Sequence, residues 1–350
     1  MKEKTISIFS GFRLIEMKKK KWWRILLPVI IAAKIVVIFM ILESGRADDS
    51  KIIVQSKTEF KSVEIPESIS FAGEPMPLER FDVYESLDRE LLSNAYFHSQ
   101  TIRYIKLAPR YLQVIETILK EKGIPDDFKY LAVAESGFNP RAVSSARAIG
   151  FWQFMKGTAQ DYGLEVNNLV DERYHIEKST YAACEYLLDS YEKFGSWTLV
   201  AASYNRGMTG IRKQMTRQKA DDYYDLFSLR FNTSRLASGS KNIFFNASWA
   251  CPEDYLLLTS ETARYVFRIV AIKLILENPE RYNFVISDEE KYPVIRTKEV
   301  EINGKVDDFA DFAQKYGVNY KQLKDFNPWL RDNYLTNSAG KKYIVKIPVL

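Results

Sequence analysis

Glu135 follows the apolar run Leu131-Ala132-Val133-Ala134, and two residues later the chain breaks at Gly137. The spacing therefore predicts a carboxylate at the C-terminal end of a helix. Apolar packing strips solvent from the ionised form, and the negative end of the helix dipole disfavours a further negative charge. Both raise the proton affinity, and a carboxyl group still protonated near neutral pH can act as a general acid. The alternative is a solvated helix-end glutamate. Glu43-Ser44-Gly45 repeats the Glu135-Ser136-Gly137 tripeptide without an apolar approach, so the tripeptide alone does not decide between the two readings.

Two further segments supply polar and aromatic groups. Gly150-Phe151-Trp152-Gln153 precedes a predicted helix over about 153–162, and Ser203-Tyr204-Asn205-Arg206-Gly207 closes another over about 196–204. Trp and Tyr faces suit the apolar faces of sugar rings, and Gln and Asn amides bridge hydroxyl and acetamido groups. As plain structural residues, Trp152 would be core and Gly207 a helix cap. The two histidines, His98 and His175, have no metal-ligand spacing, so neither a metal, a cofactor nor a histidine-dependent triad is expected.

The elements that position these residues are mostly helical. Tyr111, Leu112, Ile115, Ile118 and Leu119 recur at three- and four-residue spacing behind Pro109, and Lys122-Gly123 ends that run. Ile124-Pro125-Asp126-Asp127 opens the helix of Glu135. Helices are further expected over 178–194 and 261–277. From about Lys298 the pattern changes to strand, helix over 307–316, helix over 320–326, and a closing strand at Tyr343–Pro348, a small βααβ module. Residues 225–258 are aromatic and polar without period, and read as an insertion.

Charge sits unevenly. Residues 1–47 hold ten Lys/Arg against three Glu, leaving 40 basic against 42 acidic residues beyond them. The nearly neutral body gives no footprint for nucleic acid. Lys18-Lys19-Lys20-Lys21-Trp22-Trp23-Arg24 before the apolar stretch 25–42 is the pattern of an export signal. Lys34 within that stretch would cost about 2.5–3.5 kcal/mol in a permanent span, while Gly45-Arg46-Ala47 offers a cleavage site. A cleaved signal and a retained inner-membrane anchor both stay open. Either reading places the rest of the chain in the periplasm or cell envelope. Cys184 and Cys251 would be free to pair there, and nothing in their spacing decides whether they do.

Taken in order, Glu135-Ser136-Gly137-Phe138-Asn139-Pro140, Gly150-Phe151-Trp152-Gln153-Phe154-Met155, Asp171-Glu172-Arg173, Ala202-Ser203-Tyr204-Asn205-Arg206-Gly207 and Glu261-Thr262-Ala263-Arg264-Tyr265-Val266 resemble the family 1 lytic transglycosylases. The likeness is to their membrane-bound type D subgroup, within the goose-type lysozyme-like superfamily. Residues 298–350 look like a degenerate LysM module, through Ala310-Asp311-Phe312-Ala313, Tyr316-Gly317-Val318 and Asn327-Pro328.

The resemblance implies a mainly α fold: a lysozyme-like all-α catalytic domain over 81–285, then a linker at 286–297 and the βααβ module. Residues 1–47 would be signal or anchor, and 48–80 a linker or extended arm. It implies peptidoglycan strands as partner and non-hydrolytic cleavage of the MurNAc-β-1,4-GlcNAc bond to 1,6-anhydro ends. Glu135 would be the catalytic acid and then base, with Ser136, Gln153, Tyr204, Asn205, Glu261 and Tyr265 holding substrate. A muramidase acting at the same bond with water is the neighbouring reading, and a non-catalytic wall-binding scaffold is the reading from another class. Three departures are visible: Arg147 stands where the family commonly has Gly, residues 225–258 separate the Tyr204 and Glu261 segments, and the LysM-like unit has Val306-Asp307-Asp308-Phe309 in place of the usual Gly-Asp-Thr start.

Overall fold

The computed structural model describes residues 34–35, 62–227 and 258–349. The chain divides into residues 1–61 and 62–350. Of the first unit only Lys34 and Ile35, helical and exposed, are described, so the rest of the stretch read as an export signal lies outside the described residues. So do Cys251 and nearly all of the 225–258 insertion. Among the described residues no helix is long and apolar enough to cross a membrane.

Within the second unit a short hairpin comes first, β1 (Ser70–Phe71) and β2 (Glu74–Pro75), paired antiparallel. Helices α1 (Phe81–Tyr96), α2 (His98–Lys122) and α3 (Phe128–Ser136) follow. After a looped stretch come α4 (Lys156–Asp161), α5 (Ile176–Phe194), α6 (Trp197–Arg206), α7 (Met208–Gln218) and α8 (Tyr223–Phe227). The last long helix is α9 (Ser260–Glu277). Its residues Tyr265, Val266, Phe267, Ile269, Val270, Ala271 and Ile272 are all buried. A helix apolar on nearly every face must be surrounded, and α9 packs against α1, α3 and α6.

Three features differ from the sequence reading. Helix α2 begins eleven residues before Pro109 and carries it inside, because burial of Thr101, Tyr104, Ile105 and Leu107 continues the apolar face across the proline. Helix α4 starts only at Lys156, since Ile149 and Phe154 exchange both backbone hydrogen bonds at 3.1 Å and close residues 149–154 into a tight hairpin. The described part of the 48–80 arm is fastened to the helices: Ile69, Phe71 and Met76 join the helical core. The Glu74 carboxylate there caps α6 by accepting from the Trp197 and Thr198 backbone N–H groups.

The C-terminal unit is β3 (Thr297–Ile302), α10 (Phe309–Lys315), α11 (Tyr320–Phe326) and β4 (Tyr343–Pro348), with β3 and β4 antiparallel. It does not bury its apolar face alone. Its core of Phe309, Leu323, Trp329, Leu330, Val345 and Ile347 is completed by Ile149, Val170 and Tyr174 from the helical part. Backbone bonds Asp171 N to Trp329 O (2.9 Å) and Arg331 N to Leu169 O (2.8 Å) stitch this seam. The Arg331 guanidinium lies 4.1 Å from the Tyr174 ring centroid.

Candidate active site

Helix α3 delivers Glu135 one residue before its end. Gly137 closes the helix at φ +57, donating its N–H to Val133 O, and a Cβ there would lie 2.9 Å from the Tyr104 ring. The turn therefore requires both the left-handed conformation and the missing side chain. Glu135 retains some solvent exposure at its outer edge, but protein encloses the carboxylate on nearly every side. Burial is the largest influence on it and raises its pKa to about 7. A hydrogen bond donated by the Tyr265 hydroxyl to Oε1 opposes that rise, the negative charge of Glu261 adds to it, and the Arg268 guanidinium pulls it back.

Tyr265 is buried on α9, and Glu261 lies one turn earlier on the same helix, exposed. Their spacing of four residues puts both on one face. Thr262 between them donates its hydroxyl to Asn205 Oδ1 at 2.7 Å, which joins α9 to the end of α6. Tyr204, also near that end, donates its hydroxyl to the Trp152 carbonyl at 2.8 Å. Burial pushes the Tyr204 and Tyr265 phenols well up, and the charge of Glu135 adds to both shifts. Both therefore remain hydroxyl donors at any working pH. Glu135, Tyr204, Glu261 and Tyr265 form one electrostatic group drawn from three helices, with Asn205 beside it.

Gln153 and Ser136 are placed differently. Gln153 donates its amide to the Gly150 carbonyl at 2.8 Å and to Ala142 O at 3.3 Å, which braces its own hairpin. The Ser136 hydroxyl turns back to Ala132 O at 2.9 Å. Trp152 is not a sugar platform. It is fully buried, with its indole N–H donated to Thr180 Oγ1 at 2.9 Å, and so takes the core role that was its alternative reading.

The hairpin is held from below by Arg173, whose motif the sequence supplied without a role. Its buried guanidinium forks onto Asp171 at 2.7 and 2.9 Å and reaches the carbonyls of Phe154 (3.3 Å) and Arg147 (3.4 Å). The Arg173 backbone also explains Gly150, because a Cβ at that position would sit 1.9 Å from the Arg173 carbonyl oxygen. Arg147 takes φ +65, the conformation a glycine would prefer. Bonds from Arg147 N to Ser144 O (2.9 Å) and from Ala148 N to Ser144 Oγ (3.0 Å) hold the turn. Also outside the sequence reading is Glu90 on α1, 1% exposed and gripping Arg264 and Arg268 of α9. No sequence signal marked it, because its burial and its two arginine partners arise only when α9 packs against α1.

A lysozyme-like helical body with an enclosed acid, followed by a small βααβ unit, is the class defined by these features. Residues 113–227 match the transglycosylase SLT domain, and residues 298–349 match the soluble lytic transglycosylase C-terminal LysM-like domain. Over those two stretches the chain is similar to SLT transglycosylase domains and to the LysM-like domain that closes soluble lytic transglycosylases. It is 26% identical over 284 residues to the membrane-bound lytic murein transglycosylase D of Escherichia coli strain K12, over 79% of this chain and 54% of that protein. The chain thus spans about half the length of that relative.

Among solved structures, the 70 kDa soluble lytic transglycosylase SLT70 of Escherichia coli is 19% identical, with 53% of this chain and 27% of that one covered at a TM-score of 0.36. The lytic transglycosylase Slt of Pseudomonas aeruginosa, solved as an inactive mutant, is 16% identical over 52% and 26%, with a TM-score of 0.35. Likenesses this loose bear no detail of the fold. The SLT match contains Glu135 and Tyr204 but ends before α9, which carries Tyr265.

Proposed function

We propose that this chain is an exported peptidoglycan lytic transglycosylase, with Glu135 as its single catalytic acid and base. The observation that carries the reading is the enclosed Glu135 carboxyl, with a pKa near 7 and a phenol hydrogen bond from Tyr265. At neutral pH a large fraction of it is protonated and able to give its proton to a glycosidic oxygen. Loss of the sugar leaving group puts positive charge on C1 of the muramic residue. The Glu135 carboxylate left behind then takes the proton of that residue's C6 hydroxyl as the hydroxyl attacks C1. The products are a 1,6-anhydro end and a new free GlcNAc end, with no water consumed.

In this reading Tyr204 and Asn205 hold the saccharide near its acetamido group, Glu261 lies across the same face, and Tyr265 orients the acid. Gln153 and Ser136 contribute after exchanging their present backbone partners for substrate. The cationic flank and apolar stretch of residues 18–42 support export to the envelope, either as a cleaved signal or as a retained anchor through 25–42. The domain limits proposed are 81–285 for the catalytic part and 298–350 for the LysM-like part.

The test is digestion of purified cell-wall sacculi followed by mass spectrometry of the products. Anhydro-muramic ends are expected. Reducing muramic ends in their place would make the enzyme a muramidase, and intact sacculi would leave a wall-binding scaffold.

A further inference from the structure

A cavity of about 800 Å³ opens at the seam between the helical body and the LysM-like unit, and Glu135 is not on its wall. Its size falls within the range of sites that enclose a small ligand, about 300–1,000 Å³. It is lined by α2 at Arg110 and Tyr111, by the loop 139–141 and by the segment 294–297.

Four cations line the cavity, Arg110, Arg141, Arg296 and Lys346, against two carboxylates, Glu177 and Asp325. Both carboxylates are already engaged: Glu177 pairs with Lys346, and Asp325 with Arg141 at 3.0 Å. Arg110 spends its Nε–H on the Pro293 carbonyl at 3.1 Å and stacks over Tyr292, with no carboxylate partner among the described residues. Arg296 is exposed and likewise has none. Beside it Val294 and Ile295 are 49% and 38% exposed. The cavity thus offers two uncompensated guanidinium groups next to bare aliphatic surface. Guanidinium forks match carboxylates.

We propose that this seam cavity binds the carboxylate-bearing peptide side chain of the peptidoglycan substrate. The inference rests on the substrate class proposed above. The glycan backbone itself has no free carboxylate to offer, whereas its peptide branches carry several, together with methyl groups suited to Val294 and Ile295. Position agrees with chemistry. Asn139 lies four residues beyond Glu135, at most about 14 Å along an extended chain, and donates its N–H to Ser136 O at 3.1 Å. A peptide branching from a muramic ring at Glu135 needs to cross only that turn.

The experiment uses the full chain and two synthetic probes: a tripeptide of the stem type with three free carboxylates, and the same tripeptide fully amidated. Binding is measured by calorimetry for the parent chain, Arg296→Glu and Arg296→Lys, with circular dichroism to confirm the fold. The acidic tripeptide is expected to bind about tenfold more tightly than the amide, and Arg296→Glu to lose about tenfold while Arg296→Lys keeps most of the affinity. Equal binding of the two peptides, or unchanged binding to Arg296→Glu, would overturn the proposal. The outcomes separate from those of the digest. Wall cleavage without charge-dependent peptide binding removes the cavity's role alone, whereas peptide binding without wall cleavage removes the enzymatic reading and keeps the cavity as a peptide site.

Discussion

Glu135 and Glu177 are carboxylates on neighbouring parts of the same helical body, both hemmed in by protein, yet their affinities for a proton diverge. Burial acts on each in the same direction, upward. At Glu135 the countering groups are a phenol and the guanidinium of Arg268, and its pKa settles at about 7. At Glu177 the His175 hydrogen bond and the Lys346 ammonium outweigh burial and hold it down at about 2. His175 Nδ1 stands 3.2 Å from Glu177 Oε2, and Lys346 reaches across from β4. Enclosure by itself does not set the acid's character; the charge of what encloses it does. One site is left short of positive charge and keeps its proton. The other is fully paired and fastens two cores together.

The largest expected effect comes from removing the poised acid. Glu135→Gln should lower wall cleavage by about 10²–10⁴-fold, measured as muropeptide release from sacculi. The same change should raise stability at alkaline pH. Between about pH 4.5 and 7 the native state holds a proton at Glu135 that the unfolded chain has released, so stability falls as pH rises through that window. Above it the cost amounts to about 3 kcal/mol. Melting curves should therefore show Glu135→Gln above the parent at pH 8 and level with it at pH 4. Glu177 runs the other way: its contribution is complete above about pH 4.5 and disappears as pH drops towards 2. Glu177→Gln should melt below the parent at pH 7 and converge with it in acid.

Next in size is the seam that Glu177 guards. Ending the chain at residue 297 would bare Ile149, Val170 and Tyr174, at roughly 1.5–3 kcal/mol for each side chain fully returned to water. The shortened protein should melt several degrees lower, and restoring residues 298–350 should recover the loss.

Smaller shifts would sharpen the account of Glu135. With Glu135 as general acid, cleavage should fall as pH rises through about 7. Removing the Tyr265 hydrogen bond, in Tyr265→Phe, should move that alkaline limb upward. Removing the Glu261 charge, in Glu261→Gln, should move it downward. Limbs that moved together, or not at all, would mean that neither contact sets the acid. The least effect is expected at Arg147→Gly, which relieves a left-handed arginine but frees the unfolded chain. The net change should stay within about 1 kcal/mol of the parent in denaturant melts.

Much of this was legible in the chain. The apolar approach to Glu135 and the Gly137 stop predicted the helix end, because those signals are local. The βααβ order was legible for the same reason. What local signals could not supply was sidedness. Trp152 and Gln153 are adjacent, yet one is sealed against Thr180 and the other is only half-buried, a distinction made by α5 packing beneath the hairpin. Nor could periodicity show that Ile149, Val170 and Tyr174 serve a core whose other members come more than a hundred residues later. The sequence argument for Glu135 named burial and the helix dipole, but the charge of Glu261 and the phenol of Tyr265 enter only when α9 is docked.

The bond between Tyr265 and Glu135 joins residues 130 positions apart. Contacts of such range are slow to form, because chain entropy must be spent before they are gained. As the polypeptide emerges, α3 with its acid is complete long before α9 arrives to wrap it. The segment ending at Phe227 holds the carboxyl without its phenol and without the apolar cover of α9. The raised proton affinity of Glu135 is thus a property of the finished molecule, and a nascent or clipped chain carries the residue without the cover that keeps it protonated.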